Sequence, residues 1–440
     1  MFRKPRFSAP VACIDIGSNS VRLVIQEVPS SPASPPFQKS IKARLGLEID
    51  KTGKLYQRGA ERTLKFLKRC KKYMRRRGVK KYSVVGTAAI RRARDGKDFV
   101  RRIHHQTSIK VRILSGREEG KLSALGALSN LPPPVKESYL VIDLGGSSLE
   151  LVQVNSGKIG RVASLDLGHL ALPRVSSHDP SKIAAILRPR LERVSWLQTD
   201  QETRTLLAVG GSFRYLARLC MQAHAYPLFE VQGFKASTAQ FTPFLTQVMC
   251  GGYQKSPLVR GVKPDRRLAM PYVAAVMKTI LDKGGFRAVQ FSEAGVRDGE
   301  IVSRLVKPNG DNPAIASVKR WVEEEGGDLK HAQERYQQLS ARLKQSDPLL
   351  AILSSMLTEA PLAPGREKAR RAYNMVLESR LRHLTHPQKM FLGVALYSYY
   401  ARRDFPTLER LHIESLIGAG SLQRANKLGL ALAGHNSRQH

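Results

Sequence analysis

IDLGGSSLELV, residues 142–152, lies 128 residues after IDIGSNSVRLV, residues 14–24, and the two superpose position by position. Asp143 falls on Asp15, Gly145 on Gly17, Ser148 on Ser20 and Leu151 on Leu23. Each copy is an apolar run ending in Asp-x-Gly, followed by small polar residues and a second apolar run. That pattern reads as two strands joined by a tight polar turn. An internal repeat of this kind points to two similar lobes facing one another.

The surrounding chain extends the pattern. PSSPASPP (29–36) is a loop, and a helix rich in Arg and Lys is expected over 58–77. KYSVVGTAAIRRA (81–93) and KVRILSGREEGKLSALGALS (110–129) each read as strand, turn and helix. TLLAVGGSFRYLARL (205–219) and AVQFSEAGVRDGEIVSRL (288–305) do so again. Strands alternating with helices argue for an α/β fold. LPPPV (131–135) marks a lobe boundary and KPNGDNP (307–313) a linker. Beyond it the chain reads as all helical, with HAQERYQQLSARLKQ and REKARRAYNMVLESRLRHL as long stretches. The expected organisation is a first lobe over 1–130, a second over 131–306 and a helical domain over 314–440.

At 440 residues the chain exceeds one ordinary core. With 42% hydrophobic and 25% charged residues it has the balance of a folded soluble protein. No apolar stretch reaches the roughly 20 residues of a membrane-spanning helix. The start, MFRKPRFSAPVACID, has too short an apolar piece for a signal peptide, so a cytoplasmic location and no membrane partner are expected. Cys13, Cys70, Cys220 and Cys250 form no C-x-x-C pair and read as reduced, buried thiols. The formal charge of +37 concentrates polyanions at the surface. Inorganic polyphosphate, an anionic membrane surface and nucleic acid bound without sequence preference all suit that charge.

The two Asp-x-Gly turns carry the chemistry. Their glycines let backbone N–H groups approach an oxyanion, and Ser18, Ser20, Ser147 and Ser148 add hydroxyl donors, which together make a phosphate cradle. An aspartate ending each strand suits a divalent cation, since magnesium prefers hard oxygen ligands. One such turn is an ordinary hairpin; two at matched places argue for a cradle. Glu118 and Glu119 stand at a helix start, where acids favour the positive end of the helix dipole. A functional role requires one of them to face the cradle as general base for water. The basic runs 68–81 and 91–102 read as solvated helix faces, except that Arg91, in the turn after an apolar strand, suits bidentate contact with phosphate. His104 and His105 are adjacent and make a poor metal pair. The chain contains no H-E-x-x-H and no G-x-x-x-x-G-K-[ST].

In order along the chain, IDIGSNSVRL, VVGTAAIRRA, ILSGREEGKL, VIDLGGSSLEL, AVGGS and SEAGVRDG resemble the motifs of the Ppx/GppA family, exopolyphosphatases and guanosine pentaphosphate phosphohydrolases within the actin-like ATPase superfamily. The resemblance covers about residues 11–305. It implies two actin-like, ribonuclease H-like lobes flanking a cleft, followed by an all-α C-terminal domain. It further implies that Glu119 activates the attacking water and that Asp143 and Glu150 hold Mg2+ or another divalent cation and orient that water. By the same resemblance Arg91 is a catalytic residue that contacts phosphate, and Asp15, Ser18, Asn19, Gly145, Gly146, Ser147, Ser148, Gly210, Gly211 and Ser212 belong to the phosphate-binding loops. The expected activity is hydrolysis of the terminal phosphoanhydride of inorganic polyphosphate by a homodimer. The alternatives are guanosine pentaphosphate 5′-phosphohydrolysis, with guanosine penta- or tetraphosphate as partner, or a catalytically weak binding protein.

The chain departs from the family pattern in places. Ser147 replaces a glycine and Leu149 a threonine of the usual D-x-G-G-G-S-T-E loop, and a Cβ at 147 is expected to crowd a phosphate. Asp95 stands where asparagine is common, and LGLEID (45–50) lacks the usual glycine after its acid. Residues 314–440 show no metal-binding His-Asp pair. His178 and Asp179, before Pro180, read as a turn.

Overall fold

The computed structural model describes residues 8–28, 36–199, 205–255, 264–306, 312–342, 347–362, 365, 367–406 and 410–434. Much of the 29–36 loop and of the 307–313 linker lies outside them.

Two mixed sheets carry the repeat. In the first, strands β1 (Ser8–Ile16), β2 (Ser20–Val28), β3 (Phe37–Lys42), β4 (Lys81–Gly86) and β5 (Arg112–Ile113) run in the order β3-β2-β1-β4-β5. In the second, β6 (Tyr139–Leu144), β7 (Leu149–Asn155), β8 (Lys158–Leu165), β9 (Thr205–Val209), β10 (Lys235–Ser237) and β11 (Ala288–Ser292) run β10-β11-β9-β6-β7-β8. Five strands of each follow one plan, β1–β5 in the first and β6–β9 with β11 in the second: an antiparallel meander of three, then two strands parallel to the meander's first. Strands covered on both faces are expected to be continuously apolar, and β6 and β9 are buried along almost their whole length. The edge strands β3 and β8 are mostly solvated.

Side chains alternate between the two faces of β1 as a pleat requires, and both faces are buried. Ala12, Ile14 and Ile16 face the core of the first lobe, whereas Val11 and Cys13 face Ile301 on the opposite side. Ile301 comes from the far end of the α/β part, so the chain crosses between lobes there. The helix Gly116–Leu128 makes the reciprocal crossing. It follows β5 of the first sheet but buries Ala124, Ala127 and Leu128 against Val141, Val152 and Val209 of the second. The two crossing segments meet where a Cβ at Gly126 would collide with the Gly295 carbonyl, and one at Gly299 with that of Leu122. Glycines are needed there because the backbones touch.

The C-terminal helices surround His386–Ala401, which is buried along most of its length. The helix expected through REKARRAYNMVLESRLRHL spans only Lys368–Glu378, and His383 has a left-handed φ of 65°. The following segment turns back onto the second lobe, so tertiary docking overrides its helix propensity. All four cysteines are free; Cys13, Cys70 and Cys220 are buried as expected, but Cys250 is exposed at a helix end. Among the described residues no helix is long and apolar enough to cross a membrane. His178 and Asp179 do form a turn, with Asp179 capping a single helical turn at Pro180–Lys182.

Candidate active site

The two Asp-x-Gly turns have the same backbone geometry. Gly17 N–H donates to the Ser20 carbonyl at 3.1 Å, and Gly145 N–H to that of Ser148 at 2.9 Å. In each hairpin the aspartate pairs across the strands with the residue seven positions on, Asp15 with Arg22 and Asp143 with Glu150. The turns face one another across a cleft of 380 Å³ lined by Asp15, Ser18, Asn19, Glu119, Asp143, Gly145, Gly146, Ser148, Gly210, Gly211 and Ser212. Three other candidates stand off its wall. Ser147 turns its hydroxyl to Ser18 Oγ at 2.9 Å and is nine-tenths buried, so its Cβ does not project into the cleft. Arg91 and Glu150 lie behind Glu119.

Gly210 opens the third turn with φ +104°, a backbone conformation that L side chains rarely adopt, and a Cβ there would stand 2.7 Å from Asp143 Oδ1. Glycine therefore gives Asp143 its room. The aspartate also accepts from Ser123 Oγ at 2.6 Å, which anchors it to the crossing helix.

The adjacent acids Glu118 and Glu119 separate cleanly. Glu118 closes a capping box: its Oε2 accepts from Ser115 N at 2.8 Å, and its own N–H donates to Ser115 Oγ at 3.2 Å. That bonding lowers its pKa. Glu119, one residue on, points into the cleft. Burial pushes its pKa up to about 7 against the pull of Arg91, with Asp143 and Asp15 adding repulsion. Arg91 donates to Glu119 Oε2 at 2.9 Å and to the Leu114 carbonyl at 2.7 Å. The guanidinium expected to clamp phosphate is thus engaged with the carboxylate.

Four carboxylates gather at this end of the cleft. Burial raises the pKa of Asp15 and Asp143, and Asp15 adds to the effect on Asp143. Glu150 is raised further, by burial first and then by Glu119 and Asp143. Its Oε1 accepts from Ser164 Oγ at 3.0 Å; among the described residues Oε2 and the buried Ser148 hydroxyl make no well-formed hydrogen bond, although Ser148 still pulls the Glu150 pKa down. Buried carboxylates that repel one another, with one oxygen unpartnered, suit a divalent cation. Among the described residues no three His, Cys, Asp or Glu side chains form a cage for one. A hard cation here would therefore draw only part of its coordination from these carboxylates.

The cleft also contains residues that the sequence reading left without a role: Arg22, Thr87, His169, Arg214, Glu293 and Arg297. Arg22 had a signal, because the repeat places it opposite Asp15 where the second copy has Glu150. Arg297 lies inside SEAGVRDG. Arg214 donates to the Glu293 carbonyl at 2.6 Å, and burial lowers its pKa with Arg297 adding repulsion. His169 Nδ1 meets the Gly145 carbonyl at 2.7 Å, which nothing local in sequence announces.

Residues 23–307, which include this cleft apart from its first loop, match the sequence profile of the Ppx/GppA phosphatase family. The chain belongs to that family. It is similar to the solved Ppx/GppA family member from Aquifex aeolicus, at 25% identity over 70% of this chain and 100% of that one, with a TM-score of 0.58. An exopolyphosphatase from Cytophaga hutchinsonii shares the fold at 20% identity, covering 66% and 96% of the two chains with a TM-score of 0.58. A bifunctional 3-dehydroquinate synthase/phosphatase from Fusobacterium nucleatum is 31% identical over 168 residues, 37% of this chain. That match spans 25% of the curated relative's length. The Ppx/GppA match stops at residue 307, ahead of the C-terminal helices.

Proposed function

We propose that this Ppx/GppA family member is an exopolyphosphatase that hydrolyses the terminal phosphoanhydride of inorganic polyphosphate and releases orthophosphate. The observation that carries the reading is the continuation of the cleft, past Arg22, Arg214 and Arg297, into a second groove of 670 Å³. Lys39, Lys42, Arg218, Arg380 and Arg382 line that groove, drawn from the first lobe, the second lobe and the C-terminal region. A condensed phosphate chain whose end sits in the cleft would lie along it, and a row of cations binds such a chain by releasing its counterions.

The reaction needs positioning and neutralisation of charge more than covalent help. The water oxygen bonds to the terminal phosphorus while the bridging P–O bond breaks; the water proton passes to Glu119, the terminal phosphoryl is released as orthophosphate and the bridging oxygen departs with the shortened polyphosphate chain. A base with a pKa near 7 is well matched to neutral pH, and Arg91 holds its carboxylate in place. The Gly146 N–H, the backbone N–H groups of the 210–211 turn and the Ser18 hydroxyl are the donors on hand for the developing charge. A magnesium ion held by Asp143 and Glu150 would supply further neutralisation at the phosphoryl oxygens.

A guanosine pentaphosphate 5′-phosphohydrolase is the second reading. It is favoured by the apolar part of the cleft wall, Leu170, Pro173, Leu268 and Met270, which a purine contacts and inorganic phosphate does not. The deciding assay measures orthophosphate release from long polyphosphate and from guanosine pentaphosphate, with magnesium, for wild type and Glu119→Ala. Faster release from the polymer, abolished by the substitution, supports the first reading; preference for the nucleotide supports the second. Tight binding without release from either would mark a binding protein. Light scattering on the same samples tests the expected homodimer.

A further inference from the structure

One route from the C-terminal helices to the cleft runs through a buried residue. Gln232, 5% exposed, sits between the second lobe and the helix His386–Ala401. Its backbone carbonyl is 3.0 Å from His386 Nε2, and the opposite ring nitrogen is 2.9 Å from the Tyr226 hydroxyl. A carbonyl only accepts, so Nε2 carries the proton, and a neutral ring then accepts from Tyr226 at Nδ1. Burial, which lowers the His386 pKa to about 4, keeps the ring neutral.

The Gln232 side chain faces the other way. Its Oε1 accepts from Glu293 N–H at 2.9 Å and from Ser292 Oγ at 3.3 Å, while Nε2 donates to the Asn130 carbonyl at 3.4 Å. Glu293 is the residue whose carbonyl receives Arg214. Four positions on, Arg297 lines the cleft, and its charge acts on Asp15 across it, lowering the aspartate's pKa against the effect of burial. The turn that carries it is closed by Gly295 N–H donating to Asp298 Oδ2 at 3.0 Å, and Arg382 of the C-terminal region stands 4.0 Å from Asp298 Oδ1.

Arg214 and Arg297 are both cationic and repel one another across the cleft. Such a pair keeps a fixed spacing before any anion arrives only if the backbone beneath it is held. A primary amide serves both sides of that backbone at once, accepting at Glu293 and donating at Asn130, which a carboxylate or an alkyl side chain does not.

We propose that Gln232 is a positioning residue through which the helical C-terminal region holds the 292–298 segment, and with it the Arg214 and Arg297 pair, at the spacing that receives condensed phosphate. The inference rests on the reading that this cleft binds a phosphoanhydride. Its test uses the full chain with Gln232→Leu, which keeps the volume and removes the amide, and with His386→Phe, which leaves Gln232 in place but removes its docking bond. Inorganic tripolyphosphate binding is followed by calorimetry, orthophosphate release by initial rates, and the 292–298 amides by hydrogen exchange. For Gln232→Leu the expected result is faster exchange at 292–298 and about tenfold weaker tripolyphosphate binding, with kcat changed by less than about threefold. His386→Phe shifts the first two readouts in the same direction by less. Wild-type exchange and affinity in both variants overturn the proposal. So does a parallel fall in affinity, kcat and melting temperature, which is what lost packing alone produces. If Gln232→Leu does not fold, His386→Phe decides alone by the same two readouts. A wild type that binds tripolyphosphate but releases nothing defeats the hydrolase reading while the binding and exchange comparison still stands.

Discussion

Arg91 donates to Glu119 Oε2 at 2.9 Å from the side of the first lobe, while the backbone of Glu119 belongs to a helix packed on the second. The ion pair therefore spans the two halves of the α/β fold, and the charge state of Glu119 depends on how the lobes are set together. Burial raises the carboxyl and Arg91 lowers it, leaving it near neutrality.

With Glu119 as base, kcat/KM rises with pH through an apparent pKa of about 7, because the base works only when ionised. Arg91→Ala removes the favourable partner, so the midpoint moves upward by about one unit or more. A pH–rate profile of the two proteins checks the shift. A fall in rate without a shift would place Arg91 on the substrate instead.

Glu119→Gln has opposite effects on rate and stability. The rate falls by roughly 10² to 10⁴-fold if Glu119 is the base. The folded-state pKa lies above the unfolded one, so the native state binds the extra proton between about pH 4.5 and 7, and wild type loses stability as pH rises through that window. The variant is accordingly more stable than wild type at pH 8, by about 1 to 3 kcal/mol, and the difference disappears near pH 4. Urea unfolding at the two pH values measures it.

Ser147→Ala tests the inter-lobe hydroxyl pair. Losing the bond to Ser18 costs about 1 kcal/mol of stability. Because the side chain faces Ser18 and not the cleft, KM for phosphoanhydride substrates should stay within about twofold of wild type. A marked gain in affinity would show that the Ser147 hydroxyl crowds the ligand after all.

At position 210 a methyl group meets both a left-handed backbone and Asp143 Oδ1. Gly210→Ala is expected to lower stability by about 1 to 3 kcal/mol and to displace Asp143, reducing activity more than affinity for magnesium-free substrate. Thermal melts and initial rates at several magnesium concentrations separate the two effects.

The basic groove gives a salt test. Arg380→Ala and Lys39→Ala each remove one cation that lines the groove without lining the cleft. Each is expected to reduce the slope of log affinity against log salt by up to about one for long polyphosphate and to leave tripolyphosphate unaffected. Equal losses for both ligands would deny the groove a role in holding the chain.

How much of this was readable in advance depends on the range over which each feature is encoded. Each copy of the repeat with its Asp-x-Gly turn, and the Ser115 cap, lies within about ten residues of sequence, where turn and capping chemistry is local; Gly17 to Ser20 and Gly145 to Ser148 close as their residue types predict. The sequence by itself therefore determined the two-lobed α/β class, the helical tail and most of the cleft-lining loops. Only the tertiary structure decided which of Glu118 and Glu119 faces the cleft, that Arg91 pairs with the latter, and that Arg214, Arg297 and Gln232 converge with them. Those relationships rest on contacts between residues 28 to 154 positions apart. They arise from burial and from where crossing helices seat, and a buried carboxyl takes its pKa from that three-dimensional setting, which no local window of sequence contains.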